Sequence, residues 1–268
     1  MTLWVTLPLA VGCWGGLYFL LRRSYPHLGA EWMCRVITLI HALVIVPSCA
    51  YSAFKLGPSP FTDPGGPNTD YQNAIILVSL SYFVFDFAWS LASGTEGPVL
   101  MAHHVLSIFG NWITIVRGTC GTEMLATLFG AELSGPFLQM RYFLRFKEVH
   151  RTWYGELNDV VFMLIFGFMR TVVGSYFMYC YLPHPGPDWL AKSGGFMLYI
   201  MGWFWWLAML RYAYRKYTKM YREYMSNKKK NGQIDNNVTP SDKEVSATSN
   251  GTSDMSNGDA QGIKSKEE

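Results

Sequence analysis

The chain has 268 residues, 50% of them hydrophobic and 16% aromatic, with only 15% charged and a formal net charge of +3. A soluble domain of this length carries about 25% charged residues, so the composition excludes an ordinary water-soluble fold. The length suits one compact bundle rather than several domains, and the basic residues fall where membrane topology requires them, which leaves nucleic-acid binding without support.

A membrane span needs about 20 mainly apolar residues. Seven runs approach that length: 3–21, 32–54, 71–91, 99–116, 122–140, 160–181 and 194–214. The first is expected to be a retained helix with its N-terminus outside, because no basic residue precedes it and Arg22 and Arg23 follow it directly. With seven spans, one side of the membrane then holds Arg22, Arg23, Arg35, Arg141, Arg145, Lys147, Arg151 and the basic C-terminal stretch. The other side holds only Lys55, Arg117 and Lys192. That bias places the C-terminus in the cytosol and the N-terminus in the lumen. Trp203, Trp205, Trp206, Tyr212, Tyr214, Tyr217, Tyr221 and Tyr224 cluster near the last exit, where amphipathic rings prefer headgroup depth.

Residues 57–70 are dense in Pro and Gly and read as a lumenal turn region, not a strand. From Ser226 the composition shifts to Lys, Asn, Ser, Asp and Gly, which cannot bury enough apolar surface to fold. The expected organisation is therefore a first helix and turn over 1–31, a transmembrane bundle over 32–225 and a disordered cytosolic tail over 226–268. The tail ends in Lys264-Ser265-Lys266-Glu267-Glu268. This fits the KxKxx form of a dilysine signal read by the coat-protein retrieval machinery, which favours the endoplasmic reticulum; such addresses are read by a receptor rather than by lipid. The five cysteines are odd in number, lie in or beside apolar runs and show no CxxC spacing, so they read as small buried hydrophobes.

Five runs carry ionisable groups at membrane depth: His41, Asp86, His103 with His104, Glu132 and Arg170, to which Asn111 adds an amide. If Asp86, Glu132 and Arg170 all faced lipid the penalty would be on the order of 8–10 kcal/mol, too much for a marginally stable fold. They must pair or line a shared hollow. Adjacent histidines point about 100° apart around a helix, so both can border one cavity without making equivalent contacts. Next to a carboxylate such an imidazole acts as base or nucleophile; alternatively it only hydrogen-bonds a neighbouring helix. No metal site is expected, since no HExxH or Glu-x-x-His pattern is present. Asp86 and Arg170 are expected to form a structural salt bridge. Glu132 is followed four residues later by Pro136, which suits a kinked helix lining a pocket. Arg117 and Glu123 are expected at a span end, facing water.

Asp86-Phe87, His103-His104, Glu132-Leu133-Ser134-Gly135-Pro136-Phe137-Leu138 with Arg141, and Arg170, in that order across four spans, resemble the pattern of the TLC (TRAM–LAG–CLN) family over roughly residues 35–216. The resemblance implies an all-α, polytopic membrane bundle of about seven helices. Ceramide synthases of this family are acyl-CoA-dependent N-acyltransferases that use the His-His pair with two aspartates, three residues apart, on the next helix. His103 and His104 match the pair. Glu132 falls near the first acid, one residue out of step, and Ser134 or Gly135 stands near the second, so the second acid is missing. Two functions follow. One is the binding or regulation of membrane phospholipids and sphingolipids through a polar intramembrane cavity lined by Asp86, Arg170, His41 and Asn111. The other is lipid acyl transfer with acyl-CoA as co-substrate and His103, His104 and Glu132 as the catalytic set.

Overall fold

The computed structural model of the chain describes residues 3–94 and 96–237. Its helices are α1 Leu3–Ser24, α2 Ala30–Tyr51, α3 Asp70–Ser93, α4 Pro98–Arg117, α5 Gly121–Glu132, α6 Gly135–Phe146, α7 Trp153–Gly167, α8 Gly174–Tyr181 and α9 Trp189–Asn237. A π-helical turn, Ser52–Leu56, extends α2, and another, Phe168–Val173, joins α7 to α8. Among the described residues there is no strand, only an isolated antiparallel bridge between Pro67 and Thr119.

Among the described residues, six helical stretches are long and apolar enough to cross a membrane: Leu3–Ser24, Ala30–Leu56, Asp70–Ser93, Pro98–Arg117, Trp153–Tyr181 and Trp189–Lys229. The seventh expected span, 122–140, is instead divided into α5 and α6 at Leu133-Ser134. Pro136 lies in the first turn of α6, where its missing N–H is harmless, and Leu133 and Ser134 keep right-handed helical backbone angles, so the interruption is the kink that the proline predicted. Helix α9 runs on past Ser226, beyond the compositional boundary. The dilysine-like pattern at 264–268 lies outside the described residues. The chain divides into two compact units, Met1–Leu210 and Arg211–Glu268. In the second, the described helix is exposed and carries a Lys219–Glu223 pair at 3.9 Å.

Local chemistry sets where the helices stop. Thr69 caps α3: its hydroxyl accepts from the Gln72 N–H while the Gln72 side chain accepts from the Thr69 N–H, a reciprocal capping box. Gly94 and Gly118 end α3 and α4 in the left-handed conformation. Helix α3 is apolar all round because it packs against α1, α2, α4 and α5. Its Ile75, Ile76, Tyr82 and Phe83 meet Cys34, Ile37, Ile45 and Cys49 of α2 and Leu125 and Leu128 of α5.

At the end of the bundle where α3 and α5 begin, the loops are tied together by polar contacts. The Asn68 amide donates to the Thr114 carbonyl at 2.9 Å and its oxygen accepts from the Gly121 N–H at 2.7 Å. Gln72 donates to Thr122 at 3.0 Å, and Arg117 pairs with Asp188 at 2.5 Å. Glu123 does not face water as expected: it is 4% exposed, and its carboxylate accepts from the Gly65 N–H. A carboxylate near a span end can hold a loop against the bundle instead of being solvated. Arg117, by contrast, stays substantially exposed.

Gly65 adopts φ +89° and sits directly on the Gly186 backbone, where any Cβ would collide. Gly65→Ala is therefore expected to lower stability by about 2 kcal/mol, a fall in unfolding midpoint on the order of 5 °C measured by tryptophan fluorescence in detergent. Gly66→Ala, with open space around its Cβ, should leave the midpoint unchanged.

Candidate functional site

Helices α2, α3, α4, α6 and α7, the break between α5 and α6, the π turn and α9 enclose a cavity of about 250 Å³. Asp86, His103, His104, Glu132 and Arg170 all line it. Five of the sequence-nominated residues thus share one hollow. Asn111 lines an adjoining cavity of about 50 Å³, together with His103, Glu132 and Arg170. His41 does not line either; it is fully buried behind Glu132.

The carboxylates are partnered, but not as expected. Asp86 faces His104, Oδ2 to Nε2 3.7 Å, and its other oxygen accepts from the Cys34 thiol at 3.5 Å. The expected Asp86–Arg170 bridge is absent. The two residues approach from different sides of the cavity, and α4 supplies Asp86 with a nearer partner. Glu132 faces His41, Oε2 to Nδ1 3.8 Å. His41 is held rigidly: its Nε2 contacts the Ser79 hydroxyl at 3.3 Å, its ring stacks on Tyr82 at 3.8 Å, and Trp14 meets its edge. Trp14 is placed by donating to Ser81 at 3.1 Å. His41 is thus a supporting residue, fully buried against Glu132.

Arg170 owes its position to backbone irregularity. It lies on the π turn Phe168–Val173, where the inserted residue rotates the following side chains relative to a regular helix. Its stem crosses Gly202 of α9, where a Cβ would come within 3.1 Å of its Cδ. The guanidinium packs over the Phe166 ring, 5.0 Å from the centroid, and reaches the Ala131 carbonyl at 3.4 Å. Its Nε is buried with no hydrogen-bond partner. Arg170 also lines an apolar chamber of about 440 Å³ on the other side of the π turn, among Ala53, Phe61, Ala126, Phe129 and Phe177. One cation therefore stands between a polar cavity and a greasy one.

Where α2 begins and α3 ends, the polar cavity reaches Arg35 and Glu96, which pair at 3.6 Å, with Arg35 lying over the Tyr142 ring at 5.1 Å. Sequence reasoning missed these two, and also Cys34 and Gln139. Gln139 is 3% exposed, with its carbonyl oxygen unpartnered in the cavity wall. A glutamine inside an apolar run was a legible signal. A cysteine among apolar neighbours carried none, since the same residue type fills cores.

The fold and this interior define the class: a multi-pass, all-α membrane protein whose helices turn ionisable side chains onto a common hollow. The TLC domain model matches residues 31–211, and the chain belongs to that family. It is 25% identical over 169 residues to TLC domain-containing protein 4 C of Dictyostelium discoideum, an alignment covering 58% of this chain and 58% of that relative. The chain thus spans about 58% of the length of the curated relative it matches.

Removing Glu132 strands a buried histidine. Glu132→Leu should destabilise the protein by about 3 kcal/mol, as expected for breaking one side of a buried pair, and the Glu132→Leu/His41→Phe double variant should recover part of that loss. Thermal unfolding of the two variants in one detergent checks both.

Proposed function

We propose that this protein holds a membrane lipid inside its bundle and through it regulates phospholipid or sphingolipid composition, with the endoplasmic reticulum as the favoured membrane, the N-terminus lumenal and the C-terminus cytosolic. The carrying observation is Arg170, shared by the polar cavity and the apolar chamber. An amphiphile needs that juxtaposition: a charged or hydrogen-bonding headgroup among His103, His104, Glu132 and Arg170, and a hydrocarbon chain among Ala126, Phe129 and Phe177. A chamber of about 440 Å³ lies within the range of about 300–1,000 Å³ typical of small-molecule pockets.

A second reading, acyl transfer with acyl-CoA as co-substrate, is favoured by one contact, His104 against Asp86. The carboxylate lies 3.7 Å from Nε2, where it favours a proton on that nitrogen and so leaves Nδ1, which is buried and has no partner, as the base. A base so placed takes the proton from an acceptor hydroxyl or amine as its oxygen or nitrogen attacks the acyl thioester. The carbon–sulfur bond breaks, and the imidazolium returns the proton to the departing thiolate. Positioned base catalysis of this kind is worth about 10²–10⁴-fold.

Purified protein is expected to carry lipid detectable by native mass spectrometry. Ala126→Phe, which fills the apolar chamber, should strip most of it while the fold survives, and equal lipid retention in that variant would remove this reading. In the acyl-transfer assay, with acyl-CoA and lysophospholipid or amine acceptors, His104→Gln should lower turnover by at least about 10²-fold. Turnover indifferent to His104→Gln would leave the lipid-holding reading alone.

A further inference from the structure

The cavity of about 50 Å³ beside the histidine pair has an unusual wall. Three of its side chains each present a buried polar atom without a partner: His103 Nδ1, Asn111 Oδ1 and Arg170 Nε. Unpaired polar atoms each cost about 1–3 kcal/mol, and native interiors leave few of them. Three side chains with such atoms line one small space, which suits a site for a polar group.

The chemistry of that group follows from what each atom needs. The Asn111 amide donates to the Ser107 carbonyl at 2.8 Å, which leaves its oxygen as the atom without a partner. Asn111 Oδ1 requires a donor. Arg170 Nε–H requires an acceptor. His103 accepts either role through its tautomer, and its ring is fixed edge-on to Trp205 at 5.0 Å. An ammonium group offers only donors, and it would sit beside the Arg170 cation. A carboxylate or phosphate offers only acceptors, would leave Asn111 unpaired, and would meet Glu132 in the same wall. A hydroxyl donates once and accepts through two lone pairs, and it is neutral, matching a wall in which Glu132 and Arg170 balance. The volume agrees: a cavity of about 50 Å³ has room for a group the size of a hydroxyl, since about 10–15 Å³ already holds a water.

We infer that His103, Asn111 and Arg170 form a subsite that recognises a free hydroxyl group on the lipid held in the bundle, selecting alcohols over amines, acids and ethers of the same chain. This deepens the lipid-holding reading and rests on it. The subsite joins the apolar chamber at Arg170 and Thr127 and the histidine cavity at His103, so a chain in the chamber can bring its hydroxyl to the imidazole.

The test uses the purified full chain in detergent micelles and four probes of one chain length: hexadecanol, hexadecyl methyl ether, hexadecylamine and hexadecanoate, with occupancy read by native mass spectrometry. Hexadecanol is expected to bind at least about tenfold more tightly than the ether, since capping the hydroxyl leaves Asn111 without a donor, and more tightly than the amine or the acid. Asn111→Leu should erase the alcohol–ether difference while both still bind. Equal binding of the four probes, or preference for the amine or the acid, overturns the hydroxyl subsite and leaves the lipid-holding reading standing. An alcohol preference that persists undiminished in Asn111→Leu overturns the assignment to this wall. Failure of all four to bind overturns both readings. The alcohol–ether comparison on the unaltered protein decides the matter even if the Asn111 variant does not fold.

Discussion

A carboxylate at the broken midpoint of a membrane bundle has to be compensated from within, and the arrangement around Glu132 is that compensation. Glu132 closes α5, and the chain restarts three residues later, at Gly135, as α6. Its charge is met by His41 at 3.8 Å, and Arg170 lies across the same cavity. His41 in turn is fully buried and needs Ser79, Tyr82 and Trp14 to hold it. That requirement fixes α1 and α3 against α2. The break, the imidazole and the guanidinium therefore come as a set. Any one of them without the others would leave a charge or a polar atom stranded in hydrocarbon.

The polar interior holds two facing acid–histidine groups and, beside them, side chains with buried atoms that lack a partner. Asp86, Cys34 and His104 form one closed group, and His41, Glu132 and Ser79 another. Both are held by contacts from at least two helices, which suits support and proton placement. His103, Asn111 and Arg170, each with a buried atom that lacks a partner, line the small cavity beside these groups. Buried polar groups that complete one another rigidify a structure; those that do not are held open for something else. The same division explains why Arg170 stands on a π turn: a regular helix would carry its guanidinium to a different face, away from the small cavity and the chamber.

The opposite end of the molecule is built for closure. Glu123, Gln72, Asn68 and Arg117 spend their hydrogen-bonding capacity on loops and helix ends, and Gly65 on Gly186 allows two loops to touch backbone to backbone. At the Arg35–Glu96 end, Arg35 pairs with Glu31 at 3.2 Å and Glu96 at 3.6 Å, and Arg141 pairs with Asp159 at 2.8 Å.

Much of this was written in composition and periodicity. Apolar runs of spanning length, the asymmetry of Lys and Arg, and the rarity of ionisable residues inside those runs determined an all-helical membrane bundle with a shared polar interior, because hydrocarbon tolerates no unpaired backbone and little unpaired charge. Pro136 determined the break near Glu132. Sequence could not determine who pairs with whom. Asp86 meets His104 and not Arg170, Glu123 is buried and not solvated, and Cys34 and Gln139 enter the cavity wall. Each of these depends on the rotation of one helix against another, and a π turn or a glycine contact shifts that rotation without leaving a periodic trace in the chain. Tertiary packing decided the partners because charge complementarity in a bundle is a matter of a few ångströms across helices that lie far apart in sequence.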